Sequence, residues 1–353
     1  MKVLTVVGAR PQFIKAAPVS REVRKVAQEV LVHTGQHFDA NMSDVFFKEL
    51  GIPEPDYHLG VGGGSHGAMT GAMLARLEEV IQQEAPDWVM VYGDTNSTLA
   101  GGLAAAKLHV PVAHVEAGLR SYNRRMPEEI NRVLVDHLST RLFAPTETAV
   151  QCLQAEGITR GVQQTGDVMY DATLMFLPRA EERLDRLAEL GLAPGEYYLA
   201  TVHRAENTDD TQCLTSIMEA LGELELPVVL PLHPRTRKQL DAFGIRLSAG
   251  IRLIEPVGYL EMLLLESRAK AILTDSGGVQ KEACFLQVPC VTLREETEWL
   301  ETMESGWNTL AGTDPERIRE ALSGLRRPER PSMAFGDGQA SHRVAKSLSS
   351  GIA

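Results

Sequence analysis

The chain has 353 residues, which accommodates two domains at about 150 residues each. Hydrophobic residues make up 44% and charged residues 23%, a composition that fills cores and excludes collagen, coiled coil and disorder. Acidic residues outnumber basic ones 47 to 35, a net charge of −12, which argues against a broad grip on nucleic acid or an anionic membrane. An anionic ligand must instead be held by a local cluster of Arg, His or backbone N–H groups.

In chain order, Met1–Val7 opens with an apolar run too short for a signal peptide, and Gly8-Ala9-Arg10-Pro11 follows at once, so it reads as a buried first strand. Further strands are expected at 30–33, 88–92, 112–115 and 141–144, with a weaker one at 163–165. Helical spacing of Met69, Met73, Leu77, Val80 and Ile81 predicts a helix over 67–83, and Ile130, Leu134 and Leu138 predict another over 127–138. Around 167–195 the strand pattern lapses: Arg179–Glu189 reads as a solvated helix and Leu192–Gly195 as a turn. Strands resume at 197–202, 227–232, 251–254, 271–274 and 289–293, and a final helix is expected from Gln339. Apolar strands alternating with helices mean parallel sheets covered on both faces, here in two doubly wound α/β domains. The four cysteines (152, 213, 284 and 290) lack C-x-x-C spacing and read as reduced thiols of a cytoplasmic protein. No apolar run of about 18 residues marks a membrane span.

Open α/β sheets bind ligands at the carboxyl ends of their strands, so two such domains facing each other would share one cleft. That rule selects the loops Gly8–Lys15, Gly93–Thr98, Glu116–Arg132, His203–Asn207, His233–Arg237 and Asp275–Glu282. In the first, Arg10 and Lys15 could meet an anion at a helix N-terminus, although G-x-G-x-x-G is missing and a plain strand-to-helix turn would look the same. Asp94 is either a base or an N-cap, while Glu116, closing an apolar strand, is hard to justify by packing. Arg120, Arg124, Arg125 and Arg132 mix with Glu128 and Glu129, either as a solvated face or as part of a site. Three carboxylates, Asp94, Glu116 and Glu128, could take separate acid and base roles. His203-Arg204 suits a phosphate, and His233-Pro234-Arg235-Thr236-Arg237 is a weaker version of the same signal. In Asp275–Glu282, Ser276 can cap a helix whose first N–H groups Gly277 and Gly278 leave bare for a diphosphate, with Glu282 placed to accept from ribose hydroxyls. No nucleotide-hydrolase P-loop is present, and no His/Cys/Asp cluster has metal-ligand spacing.

Taken in order, these stretches resemble the non-hydrolysing UDP-N-acetylglucosamine 2-epimerases over essentially the whole chain. The matching residues are Gly8-Ala9-Arg10-Pro11 with Lys15, Gly93-Asp94-Thr95, His114–Arg120, Pro127-Glu128-Glu129 with Asn131-Arg132, His203-Arg204, Thr274–Gly278 with Gln280 and Glu282, and Gly336–Ala340. The resemblance implies a GT-B fold of two Rossmann-like domains with the active site in the cleft. Residues 1–170, joined by the C-terminal helix 339–353, would carry the catalytic carboxylates, and 190–335 would bind UDP. It implies inversion at C2 of a UDP-2-acetamido sugar by a cytoplasmic homodimer, without nicotinamide, other cofactor or metal. UDP leaves across C1–C2, giving a 2-acetamidoglucal, and adds back after protonation from the other face. By motif match, Asp94, Glu116 and Glu128 are acid/base groups, and Lys15 and His203 are further active-site residues. Arg10, Arg132, His203, Ser276, Gly277, Gly278 and Glu282 would hold UDP.

Members of this family activated by a second UDP-N-acetylglucosamine carry an Arg-Gln pair where this chain has Ser65-His66. Gln36 and His37 of that site are present, but Asp39 replaces a Gln, so the resemblance implies no allosteric activation. His33–Asp39 and Arg294–Trp299 look more like the branch acting on UDP-2,3-diacetamido-2,3-dideoxyglucuronate, the alternative substrate. A GT-B glycosyltransferase or a nucleotide-sugar sensor would share the fold. A nicotinamide oxidoreductase fits least, for want of the glycine fingerprint.

Overall fold

The computed structural model describes residues 1–36, 47 and 49–350. Contacts divide it into one unit of Met1–Met175 with Met333–Ala353 and a second of Phe176–Ser332. In the first, β1 (Lys2–Val7), α1 (Arg10–Val23), β2 (Gln28–His33), β3 (Tyr57–His58), α2 (His66–Glu84) and β4 (Trp88–Tyr92) come first. They are followed by α3 (Asn96–Lys107), β5 (Val112–Val115), α4 (Pro127–Leu138), β6 (Arg141–Ala144), α5 (Glu147–Ala155) and β7 (Val162–Gln164), and α6 (Val168–Glu181) runs to the unit boundary. The second unit contains α7 (Asp185–Glu189), β8 (Tyr198–Thr201), α8 (Ala205–Thr208), α9 (Thr211–Gly222), β9 (Val228–Pro231), α10 (Pro234–Phe243), β10 (Ile251–Ile254) and α11 (Tyr259–Arg268). It continues through β11 (Ala271–Thr274), α12 (Gly277–Phe285), β12 (Cys290–Thr292), α13 (Leu300–Glu304), β13 (Asn308–Leu310) and α14 (Pro315–Ser323). The last helix, α15 (Ala340–Ser349), belongs to the first unit.

The first sheet runs β3-β2-β1-β4-β5-β6-β7 and the second β10-β9-β8-β11-β12-β13, with parallel pairing throughout. Both orders reverse direction once, between β1 and β4 and between β8 and β11. A crevice opens at such a switch point because the loops leaving the two strands turn to opposite faces. The inner strands are buried and rich in Val, Leu and Ile, as a helical cover on both faces demands. Leu4, Val6, Val30, Val32, Val89 and Val91 meet Met73, Leu77 and Ala104 in one core. Ala200, Leu230 and Leu273 meet Leu214, Ile217 and Ile318 in the other.

The structure departs from expectation in two places, at the sheet edges and at Arg179–Glu189, and has the expected final helix. β3 and β13 are two- and three-residue edge strands with too little apolar pattern to read. Arg179–Glu189 is not one solvated helix: α6 ends at Glu181, and the short α7 anchors itself through buried Leu187. α15 starts after Gln339 and returns to α1 and α6, with Asp171 accepting from the Ala340 and Ser341 N–H groups at 3.1 and 2.7 Å. Burial is the main force raising the Asp171 carboxyl pKa, against the lowering effect of those two bonds. No helix among the described residues is long and apolar enough to cross a membrane. All four cysteines are free thiols.

Candidate active site

In the first unit the site is built at the β1/β4 switch point. The β1 loop packs so closely against the end of β2 and the first turn of α3 that a Cβ on Gly8 would collide with Thr34 Oγ1 and Ser97 Oγ. Gln12, buried in the first turn of α1, locks it there. Its Oε1 accepts from the N–H groups of Gly8 and Ala9 at 2.8 and 3.0 Å, and its Nε2 donates to the Tyr92 carbonyl at 2.8 Å. One turn on, the buried Lys15 ammonium pairs with the buried Glu116 carboxylate. Gly93, at φ +60°, lies beneath them: a Cβ there would stand 3.1 Å from Glu116 Oε2 and 3.2 Å from Lys15 Nζ. Glu116 itself holds φ +69°, a left-handed conformation that a non-glycine residue keeps only where its surroundings impose it. Both its N–H and that of Ala117 donate to the Phe143 carbonyl at 3.1 Å.

Asp94 does not cap α3. Thr95 does, accepting from the Thr98 N–H, and Asp94 is left to pair with the buried Arg132 guanidinium. Asn131 donates to the Asp94 carbonyl at 2.8 Å. α4 spans the expected 127–138, with Pro127 at its first position and Glu128 and Glu129 in its first turn, where the helix dipole favours carboxylates. The two glutamates have different duties. Glu129 is buried and staples the preceding loop, accepting from the Ser121 and Tyr122 N–H groups at 2.9 Å and from Arg132 at 3.1 Å. Glu128 is half-buried and makes no hydrogen bond or ion pair among the described residues. Arg10, half-buried, begins α1.

Behind this surface lies a polar layer. His114, fully buried in β5, places Nε2 2.7 Å from the Gly93 carbonyl and Nδ1 2.7 Å from Asp136 of α4. Asp136 also accepts from the Gly118 N–H at 3.1 Å and from Arg120 at 2.7 Å. Burial raises the Asp136 pKa, but the His114 bond and charge together with Arg120 outweigh it and hold the carboxyl below its ordinary range. Arg120 is paired in turn with Glu156 at 2.7 and 2.8 Å, so it is structural.

In the second unit the site forms at the β8/β11 switch point. Asp275, fully buried after β11, accepts from the N–H groups of His203 and Arg204, both at 2.9 Å, and from Asn207 at 3.2 Å. His203 Nδ1 is 3.4 Å from the same carboxylate, and its ring lies 5.6 Å from that of His233. Ser276 occupies the N-cap position of α12, but its hydroxyl makes no capping bond, contrary to expectation; its own N–H donates to Thr274 Oγ1 at 2.9 Å. Gly277 accommodates Trp299, whose Nε1 would be 3.1 Å from a Cβ there, and Gly278 follows in the first turn. Glu282 is buried on α12. Lys281 lies 3.9 Å over the Trp299 ring, and Arg294 bonds Glu206 at 2.9 Å and Glu298 at 3.0 Å. Arg235 and Arg237 are committed to exposed pairs with Asp209 and Glu255, which removes most of the weaker cationic cluster from consideration.

The structure therefore gathers Lys15, Gly93, Asp94, Glu116 and Arg132 at one switch point, and His203, Ser276, Gly277 and Gly278 at the other. Sequence reading passes over Gln12 and Asp136 as site builders. The available signal was a polar residue set into an apolar helix face.

A profile of the UDP-N-acetylglucosamine 2-epimerase family matches residues 21–349. The chain belongs to this family. As a family member it isomerises a UDP-sugar. It is 53% identical to a UDP-N-acetylglucosamine 2-epimerase homolog of Methanococcus maripaludis, covering 99% of both chains. It is 54% identical to the UDP-2,3-diacetamido-2,3-dideoxy-D-glucuronate 2-epimerase of Pseudomonas aeruginosa, again over 99% of each. The crystal structure of the Methanocaldococcus jannaschii UDP-GlcNAc 2-epimerase in complex with UDP-GlcNAc and UDP superimposes with a TM-score of 0.93 at 45% identity, over 99% of this epimerase-family chain and all of that one. The calicheamicin glycosyltransferase CalG4 shares the fold alone, with a TM-score of 0.57 at 17% identity. The architecture is thus GT-B, two Rossmann-like units. Where activated members of the family carry Arg-Gln, Ser65 caps α2 and His66 Nδ1 lies 3.2 Å from Asn96 Nδ2. Gln36 accepts from Ser97 Oγ at 2.7 Å, while His37 and Asp39 lie outside the described residues.

Proposed function

We propose that the chain interconverts UDP-N-acetylglucosamine and UDP-N-acetylmannosamine in the cytoplasm, as a homodimer and without cofactor. The observation that carries this reading is the grouping of Lys15–Glu116 and Arg132–Asp94 around Gly93 at the β1/β4 switch point. The C2 proton beside an acetal carbon is weakly acidic, so departure of UDP must be stabilised as that proton leaves. A carboxylate takes the proton, the C2–H electrons form the C1–C2 double bond, and the C1–O electrons leave with UDP. A second carboxylic acid then protonates C2 from the other face while a diphosphate oxygen of UDP re-forms the bond to C1. Asp94, Glu116 and Glu128 supply these proton transfers, and Lys15 orients Glu116. Arg10, Arg132, His203, Ser276, Gly277 and Gly278 bind the diphosphate, and Glu282 the ribose. Exposed Ile130 and Leu134, one turn apart on α4, support the dimer, which light scattering on the purified protein checks.

A second substrate, UDP-2,3-diacetamido-2,3-dideoxyglucuronate, is favoured by the 54% identity to the Pseudomonas enzyme. Proton NMR in D2O with each sugar nucleotide alone decides between them. The reading expects the manno epimer to form from UDP-N-acetylglucosamine with deuterium at C2 and no acceptor added. No epimer from that sugar, with turnover of the diacetamido compound, moves the assignment to the second substrate. No exchange with either overturns both.

A further inference from the structure

The polar layer behind the carboxylates has a defined protonation pattern. The Gly93 carbonyl can only accept, so His114 Nε2, 2.7 Å away, carries a hydrogen. Asp136 accepts from two further donors on its other oxygen, the Gly118 N–H and Arg120, and faces His114 Nδ1 with the first. His114 thus bridges Asp136 to the Gly93 carbonyl inside the first unit, with Arg120 and Glu156 as the next charged pair outward. Asp136 grips residues 114 and 118, two on either side of Glu116. His114 passes the grip on to Gly93, the residue before Asp94.

We propose that the Asp136–His114 pair is the positioning device for both reacting carboxylates, imposing the left-handed turn at Glu116 and fixing the Gly93 carbonyl so that Asp94 and Glu116 keep a constant separation. Neither residue touches substrate in this account. It rests on the reading above, in which Asp94 and Glu116 transfer the protons.

Two variants separate positioning from stability because amides mimic one ring nitrogen each. His114→Gln extends a donor to the Gly93 carbonyl but leaves Asp136 short of a partner; His114→Asn does the reverse. Displacing a reacting group by about 1 Å costs roughly a hundredfold in rate. His114→Asn, which frees the Gly93 carbonyl, and His114→Gln, which frees the Glu116 turn from Asp136, should therefore each lose about thirty- to a hundredfold in kcat on UDP-N-acetylglucosamine, with His114→Asn melting close to the wild type and His114→Gln melting lower. Affinity for UDP, by calorimetry, should stay within about twofold in both, since a lost transition-state contact lowers kcat rather than binding. Asp136→Asn, isosteric but turning a donor toward Gly118 and Arg120, provides the check if a His114 variant fails to fold; it should lower kcat about tenfold or more with UDP affinity kept. Activity that follows melting temperature across these variants, or UDP affinity that falls with kcat, overturns the positioning role. Glu116→Gln and Asp94→Asn serve as references. If either turns over normally, the reading of the carboxylates fails and this proposal with it; if both are dead while kcat simply tracks stability, only the positioning fails.

Discussion

Gly93→Ala probes the site with the smallest addition available, one methyl group. At φ +60° an alanine meets the steric cost of the left-handed region, about 1–2 kcal/mol. For a domain of this size that lowers the melting temperature by about 2–8 °C, at about 2–4 °C per kcal/mol. The added carbon would also stand 3.1 Å from Glu116 Oε2 and 3.2 Å from Lys15 Nζ, so both charged groups must yield by a few tenths of an ångström. Near-attack geometry is lost over such distances, and we expect turnover to fall by about ten- to a hundredfold, well beyond the stability change. Gly157→Ala separates the two effects: it shares a positive φ, +78°, but its Cβ would have no heavy atom within 4 Å. It should melt lower by a similar amount and turn over normally. Melting curves and NMR turnover on both variants test this. Equal activity in the two, or full activity in Gly93→Ala, would refute the claim that the paired groups beneath that methyl do the chemistry.

Asp94→Asn, Glu116→Gln and Glu128→Gln should each lose at least about two orders of magnitude in rate while folding normally, the usual scale for general acid–base groups; near-normal turnover removes that residue from the mechanism. With Ser65 and His66 in place of the Arg-Gln pair, a second sugar nucleotide lacks its bidentate partner. Initial rates should then be hyperbolic in substrate and the manno sugar should react without added gluco sugar, so sigmoidal curves would show an effector site. Burial is the largest cause lifting the Cys284 thiol to about 11, and Cys290 is pushed higher still. The raised values keep both protonated at pH 8, so an aromatic disulfide reagent should label half-exposed Cys152 and Cys213 first and the other two only on unfolding. Leu348→Ala, emptying a fully buried site on α15, should cost about 2–5 kcal/mol by denaturant unfolding, with UDP affinity unchanged.

The order of strands and helices was legible because their signals are local. A run such as Lys2–Val7 is β-branched and apolar within itself, and the 127–138 helix announces its start with Pro127, although the face it buries is that of Arg132, Val135 and Asp136 and not the expected Ile130 and Leu134. Asp94 and Glu116 stood out for the same reason, as carboxylates just past buried strands. The resemblance then supplied their chemistry. Tertiary structure alone decided who meets whom. Lys15 and Glu116 are 101 residues apart, and only parallel pairing of β1, β4 and β5 brings them over Gly93. Asp136, in Val133-Leu134-Val135-Asp136-His137, reads as an ordinary solvent-facing helix residue, yet it is buried because α4 turns that face toward β5. Asp275 likewise looks like a ligand residue beside Ser276 and is instead consumed in holding His203 and Arg204. A buried polar group must find partners wherever the fold places them, and those partners lie far away in sequence, so no local pattern encodes the bond.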